Sequence, residues 1–248
     1  MRIAALYDIH GNLPALDAVL RDVADSRVDS VVIGGDVVPG PMPRECIDRL
    51  ASLDLPTHFI KGNGDRAVRG QMSGGNSVDV PPLWRPVIGW VAAQLSEDDS
   101  ALIDKWPATT RVSSSKLGTI LFCHATPRND VDIFTKETPA DGLAEMFDAT
   151  NAALVVCGHT HMQFDRRIGH TRVVNSGSVG MPFGMRGAYW LLLDSSVELK
   201  RTHYDFDEAA NVIRSTDYPD RENFAARNIL DPPSEAEMLA VFSKVPGK

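Results

Sequence analysis

At 248 residues, 43% of them hydrophobic, the chain is long enough to bury a substantial core as one large domain or two small ones. Its 25 basic and 33 acidic residues give a formal net charge of −8. That balance argues against non-specific wrapping of a nucleic-acid backbone, which rests on phosphate neutralisation by Lys and Arg, but leaves room for a local cationic pocket.

The chain opens on an apolar run at 3–7 that stops at Asp8, too short for a signal-peptide core, and no apolar stretch approaches membrane-spanning length. The expectation is a soluble cytoplasmic protein. Further runs at 30–33, 58–60, 119–123, 153–157, 172–174 and 188–193 are short, rich in Val, Ile and Leu, and mostly without alternation. Such runs suit strands buried on both faces of a sheet covered by helices. Between the first two, Leu13, Leu16, Leu20 and Val23 recur at helical spacing, with Asn12 placed to cap and Pro14 in the first turn. Segments 46–51 and 138–150 read as further helices, and the alternation of strand and helix predicts an α/β protein. Cys46, Cys123 and Cys157 are too few and too scattered for a disulfide framework and read as small buried hydrophobes in a reducing compartment.

Two stretches break the rhythm. Residues 66–82 are rich in Gly, Ser, Asn and Pro and read as a mobile loop, leading into a helical pair over 83–106 in which Trp84, Val87, Ile88, Val91 and Leu95 face the core. The more charged tail after Tyr204 reads as one or two short helices, the last over 235–243. The expected organisation is one domain over 1–248, with a loop-helix insertion at 66–110 and a helical tail from 205.

The chemistry is carried by the polar residues that end five successive strand candidates: Asp8-Ile9-His10, Gly34-Gly35-Asp36, Gly62-Asn63-Gly64-Asp65, His124, and Gly158-His159-Thr160-His161. Each alone reads as a turn or a structural histidine. Five in succession, all at strand carboxyl ends where α/β sheets form their ligand crevice, read as one site.

This ordered set resembles the calcineurin-like metallophosphoesterases, whose motifs run Asp-x-His, Gly-Asp, Gly-Asn-His-Asp/Glu, a lone His, and Gly-His-x-His. The resemblance covers about residues 1–195 and is nearest to a small prokaryotic phosphodiesterase-like branch, where a segment like Asn175-Ser176-Gly177-Ser178-Val179-Gly180-Met181-Pro182 follows the last motif. It implies two mixed β-sheets packed as a sandwich with helices outside. It implies that Asp8, His10 and His161 hold one divalent ion, that Asn63, His124 and His159 hold a second, and that Asp36 bridges them. The mixed oxygen and nitrogen set suits Mn²⁺ first, then Fe, Zn²⁺, Ni²⁺ or Co²⁺, rather than Ca²⁺. Two ions about 3.5–4 Å apart would clamp a phosphoryl group and activate a bridging water as the in-line nucleophile. Asp36, Asn63, Asp65 and His124 are thereby the implied catalytic residues.

The third motif departs from the pattern: Gly64 stands where the family has the His that protonates the leaving oxygen, a contribution typically worth about 10²–10⁴-fold. The expectation is a preference for esters whose leaving group needs little protonation, testable by Gly64→His. Asp65, which would orient that His, has helix capping as its other reading. Asn12 is read both as a contact to bound phosphate and as a helix cap. Arg66 and Arg128, each just beyond a ligand loop, are the candidate substrate grips, with solvated surface charge as the other reading. The expected substrate is a small phosphate ester, a phosphodiester or nucleotide-type phosphoanhydride. A phosphomonoesterase or protein phosphatase, and a non-catalytic scaffold that keeps the fold, are the alternatives.

Overall fold

The computed structural model describes residues 1–75 and 80–244. Its strands are β1 (Ile3–Leu6), β2 (Ser30–Ile33), β3 (Thr57–Phe59), β4 (Thr109–Ser114), β5 (Gly118–Cys123), β6 (Leu154–Cys157), β7 (Phe164–Ile168), β8 (Thr171–Asn175), β9 (Ala188–Leu193) and β10 (Val197–Thr202). They form two mixed five-stranded sheets, ordered β10-β9-β1-β2-β3 and β4-β5-β6-β8-β7. In the first sheet β1, β2 and β3 run parallel, β9 pairs antiparallel with β1 and β10 antiparallel with β9. In the second β5, β6 and β8 run parallel in the centre, with β4 and β7 antiparallel at the two edges.

Side-chain alternation turns these sheets into a four-layer sandwich. Ile3, Ala5 and Tyr7 share an apolar cluster with Phe122, Val156 and Val174 of the second sheet, so these residues fill the space between the sheets. The Tyr7 hydroxyl crosses that space to donate to the Val156 carbonyl at 3.0 Å. The intervening Ala4 and Leu6 face the other way, into a cluster with the helices α1 (Leu13–Asp25), α2 (Pro43–Ala51), α3 (Asn63–Met72), α4 (Arg85–Gln94) and α5 (Glu97–Asp104). The outer face of the second sheet packs Leu121, Val155 and Val173 against Phe134 and against Phe147 of α6 (Ala144–Asp148). The tail helices α7 (Phe206–Arg214) and α8 (Arg221–Phe224) join the first sheet's cluster through Phe206, Ile213 and Phe224. Beyond them lie a π-helical turn, Ala225–Leu230, and α9 (Glu235–Phe242). No helix among the described residues is long and apolar enough to cross a membrane.

The seven apolar runs all become strands, and Asn12 caps α1 as its spacing required, accepting the Ala15 N–H at 3.2 Å. Three strands have no counterpart among those runs: β4, β7 and β10. All three are sheet edges whose side chains alternate between buried and exposed, so their sequences carry charge where the central strands carry Val and Leu. Residues 66–72 form most of α3 rather than a loop, because the Asp65 carboxylate reaches back to accept the Gly62 N–H at 3.0 Å and so holds the first turn of a helix. The rest of that predicted loop includes 76–79, which lie outside the described residues. The helix expected over 138–150 shrinks to α6, since Pro139 and Gly142 interrupt its first half. Trp84 is 43% exposed instead of core-facing, while Val87, Ile88, Val91 and Leu95 are buried. Among the described residues the tail forms three helices and a π-turn, more than the one or two expected.

Candidate metal centre and the cavity beside it

The five motifs converge at the carboxyl ends of β1, β2, β3, β5 and β6. Asp8, His10, Asp36, His124 and His161 are buried, and Asn63 and His159 are half-buried. Backbone hydrogen bonds lace the loops together: Asp8 N–H donates to Gly35 O (3.1 Å) and His10 N–H to Asp36 O (2.9 Å). Gly35, at φ +92°, lets this happen, since a Cβ there would lie 2.6 Å from the Gly62 nitrogen and 2.8 Å from His124 Nδ1. Among the described residues seven non-glycines have positive φ, and five of them are Asp8, His10, Asp36, His159 and His161. Strained backbone therefore gathers at the cluster, as it does at functional sites.

The imidazoles are held in one tautomer. His10 Nδ1 lies 3.1 Å from Pro39 O, His124 Nδ1 2.9 Å from Gly34 O, and His161 Nδ1 2.7 Å from Met181 O. A carbonyl only accepts, so each Nδ1 carries a proton, and in the neutral form of each ring Nε2 presents a lone pair. Those lone pairs face each other and the carboxylates. His10 Nε2 and His161 Nε2 are 3.2 Å apart, and Asp8 Oδ1, buried without a hydrogen-bond partner, is 3.3 Å from His161 Nε2. Asp36 Oδ2 lies 3.8 Å from His10 Nε2 and 3.7 Å from His124 Nε2. One end of the Asn63 amide faces His124 Nε2 (3.0 Å) and His159 Nδ1 (3.1 Å). Either its nitrogen donates to them, or a cation lies between them and its oxygen. Two groups, Asp8 with His10 and His161, and Asp8 with Asp36 and His124, bring their ligand atoms within 4.8 Å of one another. Facing lone pairs and an orphaned carboxylate oxygen are what a cation satisfies, and the donor set fits a divalent transition metal.

The local field agrees. Burial alone would push the Asp8 carboxyl up, yet the imidazoles of His161, His124 and His10 hold it well below the usual carboxylate range. Burial, reinforced by His124, brings His159 down to about 4, and burial with His161 lowers His10, so both rings are neutral at pH 7. Burial also pulls on His124, but Asp36 and Asp8 outweigh it and raise the ring.

Other expected site residues are placed differently. Asp65 is fully buried behind Asp36, and its Oδ1 accepts Val37 N–H (2.8 Å) and Val38 N–H (3.1 Å), fixing the turn that carries Asp36. Burial and the nearby Asp36 push its carboxyl up to about 7, against the hydrogen bonds from Gly62 and Val38. Asn12 is fully buried and uses both ends of its amide, for Ala15 N and for Gly180 O (3.0 Å). Arg66 forks onto Asp130 at 2.8 and 3.0 Å and lines the cavity beside the ligands, whereas Arg128 forks onto Asp132 at 3.1 and 2.6 Å within its own loop.

That cavity has a volume of about 400 Å³ and shares His10, Asp36, Asn63 and His161 with the cluster. Val80, Val87 and Ile88 of the insertion wall it on one side, and Tyr218, Phe224 and Asn228 of the tail on another. The tail's share carries no sequence motif. Motif reading also left the segment 175–182 without a task. Ser178 Oγ donates to Asp8 O (2.7 Å) and accepts Met181 N–H (2.8 Å), so it steadies both Asp8 and the carbonyl that orients His161. Ser178→Ala is therefore expected to weaken Mn²⁺ binding about 10–100-fold, read by titrating the metal against the melting temperature. An unchanged midpoint would show that this scaffold is dispensable.

Proteins of similar sequence and fold are known. The chain is 26% identical over 243 residues to MJ0912, an uncharacterized protein of Methanocaldococcus jannaschii, covering 88% of this chain and 94% of that one. Its fold is similar to that of the hypothetical protein PH1004 of Pyrococcus horikoshii OT3, with TM-score 0.80 and 18% identity over 94% of this chain and 99% of the other. It is also similar to a metallophosphoesterase from Sphaerobacter thermophilus, with TM-score 0.74 and 27% identity over 94% and 99%. Residues 1–197 match the calcineurin-like phosphoesterase superfamily domain, and the chain belongs to that family.

Proposed function

We propose that this chain is a dinuclear metal-dependent phosphoesterase that hydrolyses a phosphodiester or a nucleotide-type phosphoanhydride. The observation that carries the reading is the set of imidazole lone pairs, fixed by Pro39, Gly34 and Met181 carbonyls, aimed at the orphaned Asp8 oxygen and at Asp36. In this reading Asp8, His10 and His161 form one ligand group, Asn63, His124 and His159 the other, and Asp36 belongs to both. Two divalent ions held there supply positive charge to the phosphoryl oxygens and lower the pKa of water. Manganese is the proposed resident ion, with Fe, Zn, Ni and Co as substitutes, and the cytoplasm is the proposed compartment, in keeping with three free, buried cysteines.

The protein's own residues do the rest. Asn63 and Arg66, both on the cavity lining, are placed to touch phosphoryl oxygens, and Asp65 positions Asp36 through the 36–38 turn. The cavity leaves room for an organic group beyond the phosphorus, and Gly64 in place of the proton-donating His favours diesters over monoesters. With each of the five metals in turn, bis-4-nitrophenyl phosphate is expected to turn over about tenfold faster than the monoester. Faster monoester turnover would favour the phosphomonoesterase reading. Protein that retains no metal and turns over neither ester would favour a scaffold.

A further inference from the structure

We infer that the cavity beside the ligand cluster is a nucleobase subsite in which Asn228 and Tyr218 read the edge of the base. The inference rests on the proposed phosphoesterase reading only for where the phosphate lies. About 400 Å³ is far more than a phosphoryl group needs and falls in the range of pockets that hold small organic ligands. Val80, Val87, Ile88 and Phe224 give it apolar walls, which disfavour a sugar or a charged headgroup as the deep occupant.

An alkyl or simple aryl group is disfavoured by two polar side chains in the same wall. Asn228 is 8% exposed, and among the described residues its amide has no hydrogen-bond partner. Tyr218 is 3% exposed, its ring held edge-on by Trp90 (5.4 Å) and Phe224 (5.9 Å), and its hydroxyl likewise has no partner among the described residues. Both groups open on the cavity, so a ligand that displaces water from this apolar wall must meet them or leave them unmet at a cost, which favours a ligand with a polar edge. Asn228 sits in the π-helical turn Ala225–Leu230, a backbone irregularity that recurs at functional sites. An amide offers a donor and an acceptor side by side, which matches the edge of a nucleobase, and the apolar walls match its faces. Trp84, partly exposed on the lining, adds an aromatic ring.

The test is calorimetric titration of the Mn²⁺-loaded full chain with AMP, GMP, CMP, UMP, ribose 5-phosphate and phenyl phosphate. At least one nucleotide is expected to bind about tenfold tighter than both ribose 5-phosphate and phenyl phosphate. Asn228→Leu and Tyr218→Phe should each shrink that advantage without changing ribose 5-phosphate binding. Tyr218→Phe deletes a single oxygen from a packed ring, so it decides the matter even if Asn228→Leu fails to fold. Phenyl phosphate binding as tightly as the best nucleotide, nucleotides no better than ribose 5-phosphate, or variants that weaken every ligand alike would each overturn the subsite. Ester turnover without a base preference sinks the subsite and leaves the enzyme standing. A base preference without any ester turnover does the reverse.

Discussion

Asp36→Asn is expected to lower phosphodiester turnover on the order of a thousandfold, several kcal/mol of transition-state stabilisation, while leaving the fold intact. The fold survives because an asparagine keeps the shape of Asp36 and its oxygen can still accept the Gly64 N–H, now at 2.7 Å from Oδ1. The chemistry fails because an NH₂ would replace Oδ2, the atom that lies 3.8 Å from His10 Nε2 and 3.7 Å from His124 Nε2, and an amide nitrogen donates where a ligand must accept. In metal-free protein the same NH₂ faces imidazole lone pairs, so the variant's melting temperature without metal should equal or exceed that of the native chain. Saturating Mn²⁺ should stabilise the native protein by about 2.7 kcal/mol at a hundredfold excess over its dissociation constant, and the variant by much less. Native turnover together with a native metal response in the variant would remove Asp36 from the centre.

Turnover of the native chain is expected to depend steeply on the leaving group. A 4-nitrophenyl diester should outpace the corresponding methyl diester by on the order of 10²–10⁴ more than an enzyme with a positioned acid would allow. The reason lies at Gly64, where the family's proton donor is missing and cannot simply be restored. A Cβ at that position would come 2.6 Å from Pro39 Cγ and 2.9 Å from Asp36 Oδ1, so Gly64→His would displace the Asp36 carboxylate. The informative experiment is therefore a series of esters on the unaltered protein. Rates that stay within about tenfold across the series would mean that another group delivers the proton.

The parts of this molecule that could be read from the sequence are those in which one stretch of chain carries the whole signal. Central strands buried on both faces appear as unbroken Val, Ile and Leu, as at Val31–Ile33 of β2, and the polar residues just beyond β1, β2, β3, β5 and β6 are the ones that reach the cluster. Edge strands such as β10, with Glu198, Lys200 and Arg201 in six residues, have no such run and show themselves only through their pairing with β9. The start of α3 was hidden because its cap is a glycine nitrogen bonded to a carboxylate three residues on, inside a stretch whose composition reads as loop. The cavity wall was least legible. Tyr218 and Asn228 lie more than fifty residues from the last ligand and meet it only through packing of the tail on the first sheet.

The left-handed backbone at Asp8, His10, Asp36, His159 and His161 sets which histories are open to this centre. Asp, Asn and His are the non-glycine residues that tolerate that conformation best, and Asp and His are also good metal ligands, so geometry and coordination select the same letters. A descendant that gives up this cluster has cheap routes through Gly or Asn at these five positions and costly ones through Val, Ile or Thr. Inactive relatives should therefore wear their loss as small and polar residues within an otherwise unchanged frame. For the same reason, a laboratory scan with β-branched residues would confuse a broken backbone with a missing ligand.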